Sequence, residues 1–220
     1  MSAEASTEPY RPPLYRRLAL GPPAAALVVA DVATLGFVTL GFQMVTSRIL
    51  TPHFGSDIFT WATIISISIG GLMAGYFLGG MIADRYGSFL IAALIKLVAA
   101  AYLGLIYAIS GGAMELFIAG IVDDTTALFT TGAIVCLPPL LVLGMYSPLA
   151  VRLLLRESED AGKISGGLFA ISSFGNVIGI LVTTFFIIPS VGTRAITGGF
   201  AVFLLVSGLV SIAAWLNRPQ

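Results

Sequence analysis

The sequence predicts an all-α integral membrane protein built from six transmembrane helices. Three observations carry that reading. The 220 residues are 57% hydrophobic and 10% charged, whereas soluble domains average about 25% charged residues, so a soluble fold would lack the polar surface to cover itself. Six apolar stretches each reach the roughly 20 residues needed to cross a hydrocarbon core of about 30 Å. Lys and Arg fall unevenly between the two sets of loops that those stretches define.

The expected spans are about 25–48, 58–82, 89–110, 127–152, 165–188 and 196–216. Residues 1–22 precede them as a cytoplasmic tail, mostly disordered, in which Arg16 and Arg17 face lipid headgroups. Arg11, Arg16, Arg17, Arg85, Arg152, Arg156, Lys163 and Arg218 lie on one side, Arg48 and Arg194 on the other. The positive-inside rule then puts both termini in the cytoplasm. The loop "GGAMELFIAGIVDDTT" faces outward, and its centre suits a short interfacial helix. No linker marks off a second domain, and a soluble catalytic domain is not expected.

Several function classes drop out. Formal net charge is zero, which argues against a nucleic-acid surface. Cys136 and His53 are the only residues of their types, so a Cys- or His-clustered metal centre has no ligands, and no cofactor is expected.

Ionisable residues inside a span are costly and mark function by default. Asp31 in span 1 and Lys96 in span 3 are the two cases. At 1.5 Å per residue both lie about 10–12 Å from the cytoplasmic end, so they can pair. Such a pair is a gate or a charge-coupled binding site, or a static lock between two helices; Lys96 alone can also snorkel to the headgroups. Near the outer end of span 1, Gln43, Ser47 and Arg48 form a candidate polar patch. Gln43 and Ser47 share one helical stripe, which Arg48 leaves.

Gly71, Gly75 and Gly79 recur every four residues in span 2, and Gly175 and Gly179 repeat the spacing in span 5. Such stripes let another helix approach closely, within the chain or across a homodimer seam, the former being favoured. Pro138 and Pro139 interrupt the hydrogen-bond ladder of span 4 and predict a kink, either hinge or static bend. Spans 1 and 4 end in "SRILTP" and "YSPLAVR", and spans 2 and 5 carry the glycines. A three-plus-three arrangement of inverted repeats fits this.

Three stretches in order, "GFQMVTSRILTPHFGSDIFTWATIISISIGGLMAGYFLGGMIADRYG", "LPPLLVLGMYSPLAVRL" and "GKISGGLFAISSFGNVIGILVTTFFIIPSVGTRA", resemble the membrane domain of bacterial spermidine-synthase-like (polyamine aminopropyltransferase) proteins. The resemblance covers roughly residues 35–215. Matched positions are Ser47, Arg48, Pro52, Phe54, Gly55 and Trp61, then Gly75, Gly79, Gly80, Asp84 and Arg85. Pro148, Gly175, Gly179, Pro189, Gly192, Thr193 and Arg194 follow. The family usually has Glu where this chain has Gln43, so no cation or proton role carries over there. Its soluble Rossmann-like catalytic domain has no counterpart motif here, so aminopropyl transfer does not carry over either. "GMIADRYG" also resembles the loop 2–3 signature of major facilitator transporters. That resemblance implies that Asp84 and Arg85 form an inner-face latch, weakened because Ser88 and Phe89 replace the usual basic residues.

Two functions follow as expectations. The first is a non-catalytic accessory or scaffold subunit of the bacterial inner membrane that docks a membrane or soluble partner. The second is a small amine or polyamine transporter formed when two half-transporter bundles dimerise.

Overall fold

A computed structural model describes residues 20–110, 112–121, 123–155 and 160–216. The tail with Arg11, Arg16 and Arg17 therefore lies outside the described residues, as do Arg156 and Arg218. Among the described residues the chain is helical throughout, without strands. The first three helices are α1 (Pro22–Phe54), α2 (Ile58–Tyr86) and α3 (Phe89–Ile109). The short α4 (Gly112–Ala119) follows, in the loop where the sequence suits one. Next come α5 (Asp124–Gly144), α6 (Tyr146–Leu154) and α7 (Ala161–Val182), then a π-helical turn (Thr183–Ile187), α8 (Ile188–Ser190) and α9 (Thr193–Leu216). Six helical runs are long and apolar enough to cross a membrane: 22–54, 58–86, 89–109, 124–154, 161–190 and 193–216. This is an all-α, six-helix, multi-pass membrane protein.

Local chemistry sets the helix ends. Pro22 and Pro23 open α1, where a missing N–H costs nothing. Gly55, at φ 76°, closes it and donates to the Thr51 carbonyl, a backbone conformation that favours glycine. Asp57, Ser88 and Asp123 cap α2, α3 and α5, their side chains accepting the N–H of Thr60, Ile91 and Thr126. The two interruptions within spans have different causes. Pro189 cannot donate to Phe185, and the turn before it widens so that the Ile188 N–H reaches the Thr183 carbonyl. In span 4, by contrast, α5 runs on through Pro138 and Pro139, and the break falls at Met145.

A helix passes through two prolines only if something else satisfies the freed carbonyls. Pro138 would have bonded the carbonyl of Ile134, four residues back. The Tyr102 hydroxyl of α3 donates to that carbonyl at 2.6 Å. Span 3 thus supplies the hydrogen bond that the proline removes.

The heaviest packing joins α3 to α9, α1 to α7 and α2 to α5. In span numbers these pairs are 3–6, 1–5 and 2–4. Lesser pairs are 1–4, then 3–4 with 1–6, and 1–2 with 4–5. Exchanging spans 1, 2, 3 for 4, 5, 6 maps each of these pairs onto another of them or onto itself.

The glycine stripes occupy the two equivalent close contacts, both inside the chain. A Cβ on Gly71 would come 3.1 Å from the Leu137 carbonyl oxygen and one on Gly79 2.5 Å from the Met145 Cα; one on Gly75 would strike the Leu141 carbonyl. Added carbons on Gly175 and Gly179 would strike the Ala33 and Phe37 carbonyls of α1. Small residues let these backbones touch, which is how helices gain van der Waals contact in a solvent as apolar as themselves.

Candidate functional site

The polar interior gathers where the first third of α1 meets α3, α6 and α9. Asp31 is buried because α1 turns it inward with Val28, Val32 and Leu35. Lys96 is fully buried on α3 between Ala92, Ala99 and Ala100, whose small side chains leave room for its stem. Lys96 Nζ lies 2.6 Å from Asp31 Oδ2. It also donates to Ser211 at 2.6 Å and Ser207 at 3.1 Å. Asp31 Oδ2 accepts the Tyr146 hydroxyl at 2.9 Å, and Oδ1 accepts Ser207 at 3.0 Å. The ammonium also sits 5.6 Å from the centre of the Tyr146 ring.

All three ammonium protons therefore have acceptors, and both carboxylate oxygens have donors. Five side chains from spans 1, 3, 4 and 6 close on one another. Desolvating two charges costs several kcal/mol per ion after relaxation, and only good geometry with further hydrogen bonds offsets that. This cluster supplies both.

Sequence reasoning singled out the two charges and missed Tyr146, Ser207 and Ser211. The serines carried a signal: four apart in an apolar span, they share one helical stripe. Tyr146 carried less, since a tyrosine near a helix end often reaches headgroups; here it is 2% exposed.

Beside the cluster, spans 1, 2, 4 and 5 border a partly open cavity of about 30 Å³, lined by Thr39, Tyr76, Tyr146, Ser147, Ser172 and Asn176. That is about one water molecule's share of liquid volume. Asn176 Oδ1 is buried there without a hydrogen-bond partner, the kind of acceptor a bound water satisfies.

The other candidate residues do not converge. Gln43 and Ser47 are buried, and Ser47 donates to the Met44 carbonyl at 2.8 Å. Arg48 is exposed and lines a cleft with His53, Glu115 and Thr193. A helix advances about 100° per residue, which puts Arg48 on a different face from Gln43. Asp84 and Arg85 are exposed at the end of α2. Arg85 lies 5.6 Å from the Tyr86 ring centre, and among the described residues neither makes an ion pair. The stem of Arg152, at the end of α6, packs where Gly87 has no Cβ. Arg194 donates to the Tyr107 carbonyl at 3.0 Å and covers that ring at 4.8 Å, tying span 6 to span 3 at the opposite end. No group of three or more His, Cys, Asp or Glu able to hold a metal occurs among the described residues.

No family model, curated protein or solved structure matches the chain.

Proposed function

We propose that this protein is a non-catalytic scaffold subunit of a bacterial inner membrane, docking a partner protein through a rigid six-helix bundle. What supports the reading is the saturation of its charge pair. Every donor and acceptor of Asp31 and Lys96 is engaged by the bundle itself. A transport site needs polar groups that a substrate can take up, and the adjoining cavity has room for about one water. The pair acts as a lock that fixes spans 1, 3, 4 and 6 in register. The resemblance to spermidine-synthase-like membrane domains makes a soluble aminopropyltransferase the first partner to test, with a redox or transport complex as the other candidate.

One observation favours a second reading. The packing pairs map onto one another or onto themselves when spans 1, 2, 3 are exchanged for 4, 5, 6, the plan of half a major facilitator transporter. Two copies would make twelve helices and carry an amine or polyamine, with Asp84 and Arg85 as the latch.

Two measurements separate these. Purification from native membranes in mild detergent is expected to bring down one partner in fixed stoichiometry. Proteoliposomes of the purified chain are expected to take up no labelled putrescine or spermidine. Saturable uptake that Asp31→Asn abolishes overturns the scaffold in favour of the transporter.

Both termini are assigned to the cytoplasm by the Lys and Arg asymmetry. With Cys136→Ala as background, an impermeant maleimide added outside is expected to label a cysteine at Gly120 and spare one at Ser88. The reverse pattern inverts the topology.

A further inference from the structure

At the end of the bundle away from the charge cluster, two clefts adjoin. One, of about 120 Å³, lies between α1, α4 and the start of α9, with Arg48 and Glu115 in its wall. The other, of about 330 Å³, lies between α1 and the chain leading into α9, with Ile188 and Val191 in its wall. Arg48, Pro52 and Thr193 border both, so Arg48 stands where the two meet. The cleft sits at span ends. Thr193 is the first residue of α9, and Arg48 is six residues short of the end of α1, or about 9 Å at 1.5 Å per residue. That is the depth at which hydrocarbon gives way to headgroups.

Two opposite charges line the smaller cleft without meeting. Arg48 and Glu115 are both exposed, and among the described residues neither makes an ion pair, with the other or with any third group. Of the described arginines, Arg48 and Arg194 lie at this end, and they differ. Arg194 is held by the Tyr107 carbonyl and ring, whereas the Arg48 guanidinium is left to what enters the cleft. A guanidinium presents a planar fork of donors that matches a phosphate. A carboxylate only accepts, so it takes an ammonium that still carries N–H. Apolar surface continues from both charges: Ile49 and Met114 are buried in the smaller cleft, and Ile188 and Val191 wall the larger one. The complementary ligand therefore carries a phosphate, a protonated amine and an aliphatic part.

We propose that this cleft binds the phosphoethanolamine headgroup of a phospholipid from the leaflet that this end of the bundle faces. The phosphate lies on Arg48 and the ammonium on Glu115, while the first carbons of the acyl chains follow Ile188 and Val191. A phosphocholine headgroup has the same charges but no N–H to give Glu115, so the cleft distinguishes the two. The site is independent of the charge cluster, of the scaffold reading and of which side of the membrane this end occupies.

Native mass spectrometry of the full chain in mild detergent tests this, with dioleoyl phosphatidylethanolamine and dioleoyl phosphatidylcholine as the probes. The ethanolamine lipid is expected to bind the unaltered chain several-fold more tightly than the choline lipid. Glu115→Gln should bring it down to the choline level. Arg48→Gln should weaken both lipids, because both carry the phosphate. Arg194→Gln, at the engaged arginine, should leave the preference as it was. Both Arg48 and Glu115 are exposed, so neither variant disturbs the packed interior. Soluble glycerophosphoethanolamine at the same concentration is expected not to displace the lipid, since it has no chains for the apolar wall. Equal binding of the two lipids by the unaltered chain overturns the proposal, as does a preference that survives Glu115→Gln or is lost equally in Arg194→Gln. Displacement by the soluble headgroup overturns the assignment to a lipid.

Discussion

The two halves of span 4 face the same problem and solve it differently. In α6 the Tyr146 hydroxyl is buried and bonded to Asp31, inside a cluster where every polar atom has a partner. In α5 the Thr131 hydroxyl is as deeply buried and bonded to nothing, beside a ladder broken by two prolines. The cost of an unpaired polar group is set by its surroundings, and both halves are apolar. The difference lies in supply. Around α6 three other spans each bring a polar side chain to one point, whereas around α5 Tyr102 and Ser68 reach separate points, the Ile134 carbonyl and the Cys136 thiol, and neither meets Thr131. The saturated half is built to stay closed; the unsaturated half retains hydrogen-bonding capacity. Substitutions along span 4, from one end to the other, should show this gradient.

The largest effect is expected at the saturated end. Removing one partner of a buried ion pair costs about 3–5 kcal/mol, because the other charge is left uncompensated. Lys96→Met and Asp31→Leu should each lose that much in denaturant unfolding from mixed micelles. The double variant removes both charges and should recover most of the loss. Recovery is incomplete because the Tyr146 hydroxyl then lacks its acceptor, about 1–3 kcal/mol, while Ser207 and Ser211 can turn to their own helix. Strict additivity of the two single losses would show that the charges do not act as a pair.

The seam between the halves comes next. Gly75 packs against the Leu141 carbonyl and the Gly144 Cα, just before the break at Met145. Gly75→Ala forces α2 away from α5 and should cost about 1–3 kcal/mol, the usual price of overpacking. Gly80, five residues on, has nothing within 4 Å of its missing Cβ. Gly80→Ala should therefore be neutral or slightly stabilising by helix propensity. Equal effects at the two sites would mean that the stripe does not make this contact.

What was legible in the sequence follows the same division. The six spans could be read because a membrane helix has one dominant requirement, a run of about 20 apolar residues. The close contacts could be read as far as "glycine every four residues", but not which span each stripe meets. Gly75 meeting Leu141 and Gly179 meeting Phe37 are long-range choices set by the bundle as a whole. Asp31 and Lys96 stood out because charges in spans are rare. Tyr146, Ser207 and Ser211 did not, because hydroxyls in membrane helices are common and usually bond their own backbone. The proline pair predicts a ladder missing two donors, and α5 runs on through it. The pair gave no hint that Tyr102, on another span, would mend half of it, nor that the visible break would fall at Met145.

The half-mended ladder offers a milder test. Tyr102→Phe keeps the ring and deletes the donor to Ile134, leaving that carbonyl without the bond that Pro138 cannot make. The expected loss is about 1–3 kcal/mol, smaller if water reaches the partly exposed site. Amide hydrogen exchange should rise locally in 132–140 and stay unchanged near Tyr146. A rise that spread to α6 would mean that the two halves of span 4 open together, and the contrast between them would fail.

The smallest effect belongs to the first turn of α5, outside the membrane-spanning segment. Asp123 caps that turn by accepting the Thr126 N–H at 2.7 Å. Hydrogen bonding from Thr126 holds its carboxyl below the usual value of 3.8. A carboxylate with a lowered folded pKa stabilises fully above its unfolded value, and that contribution fades as pH falls through the folded one. The thermal midpoint should thus be flat above about pH 5 in this respect and decline below about pH 4. Asp123→Asn keeps a capping oxygen but no titrating proton. It should remove this part of the acid decline while leaving the neutral-pH midpoint nearly unchanged. Asp123→Ala should lower the midpoint at neutral pH and also flatten the acid limb. Because α5 is the unsaturated half, fraying from this end should raise exchange as far as Thr131 before it reaches Tyr146. An identical acid limb in the Asn variant would assign the decline to other carboxylates, Asp57 at the start of α2 being the nearest in kind.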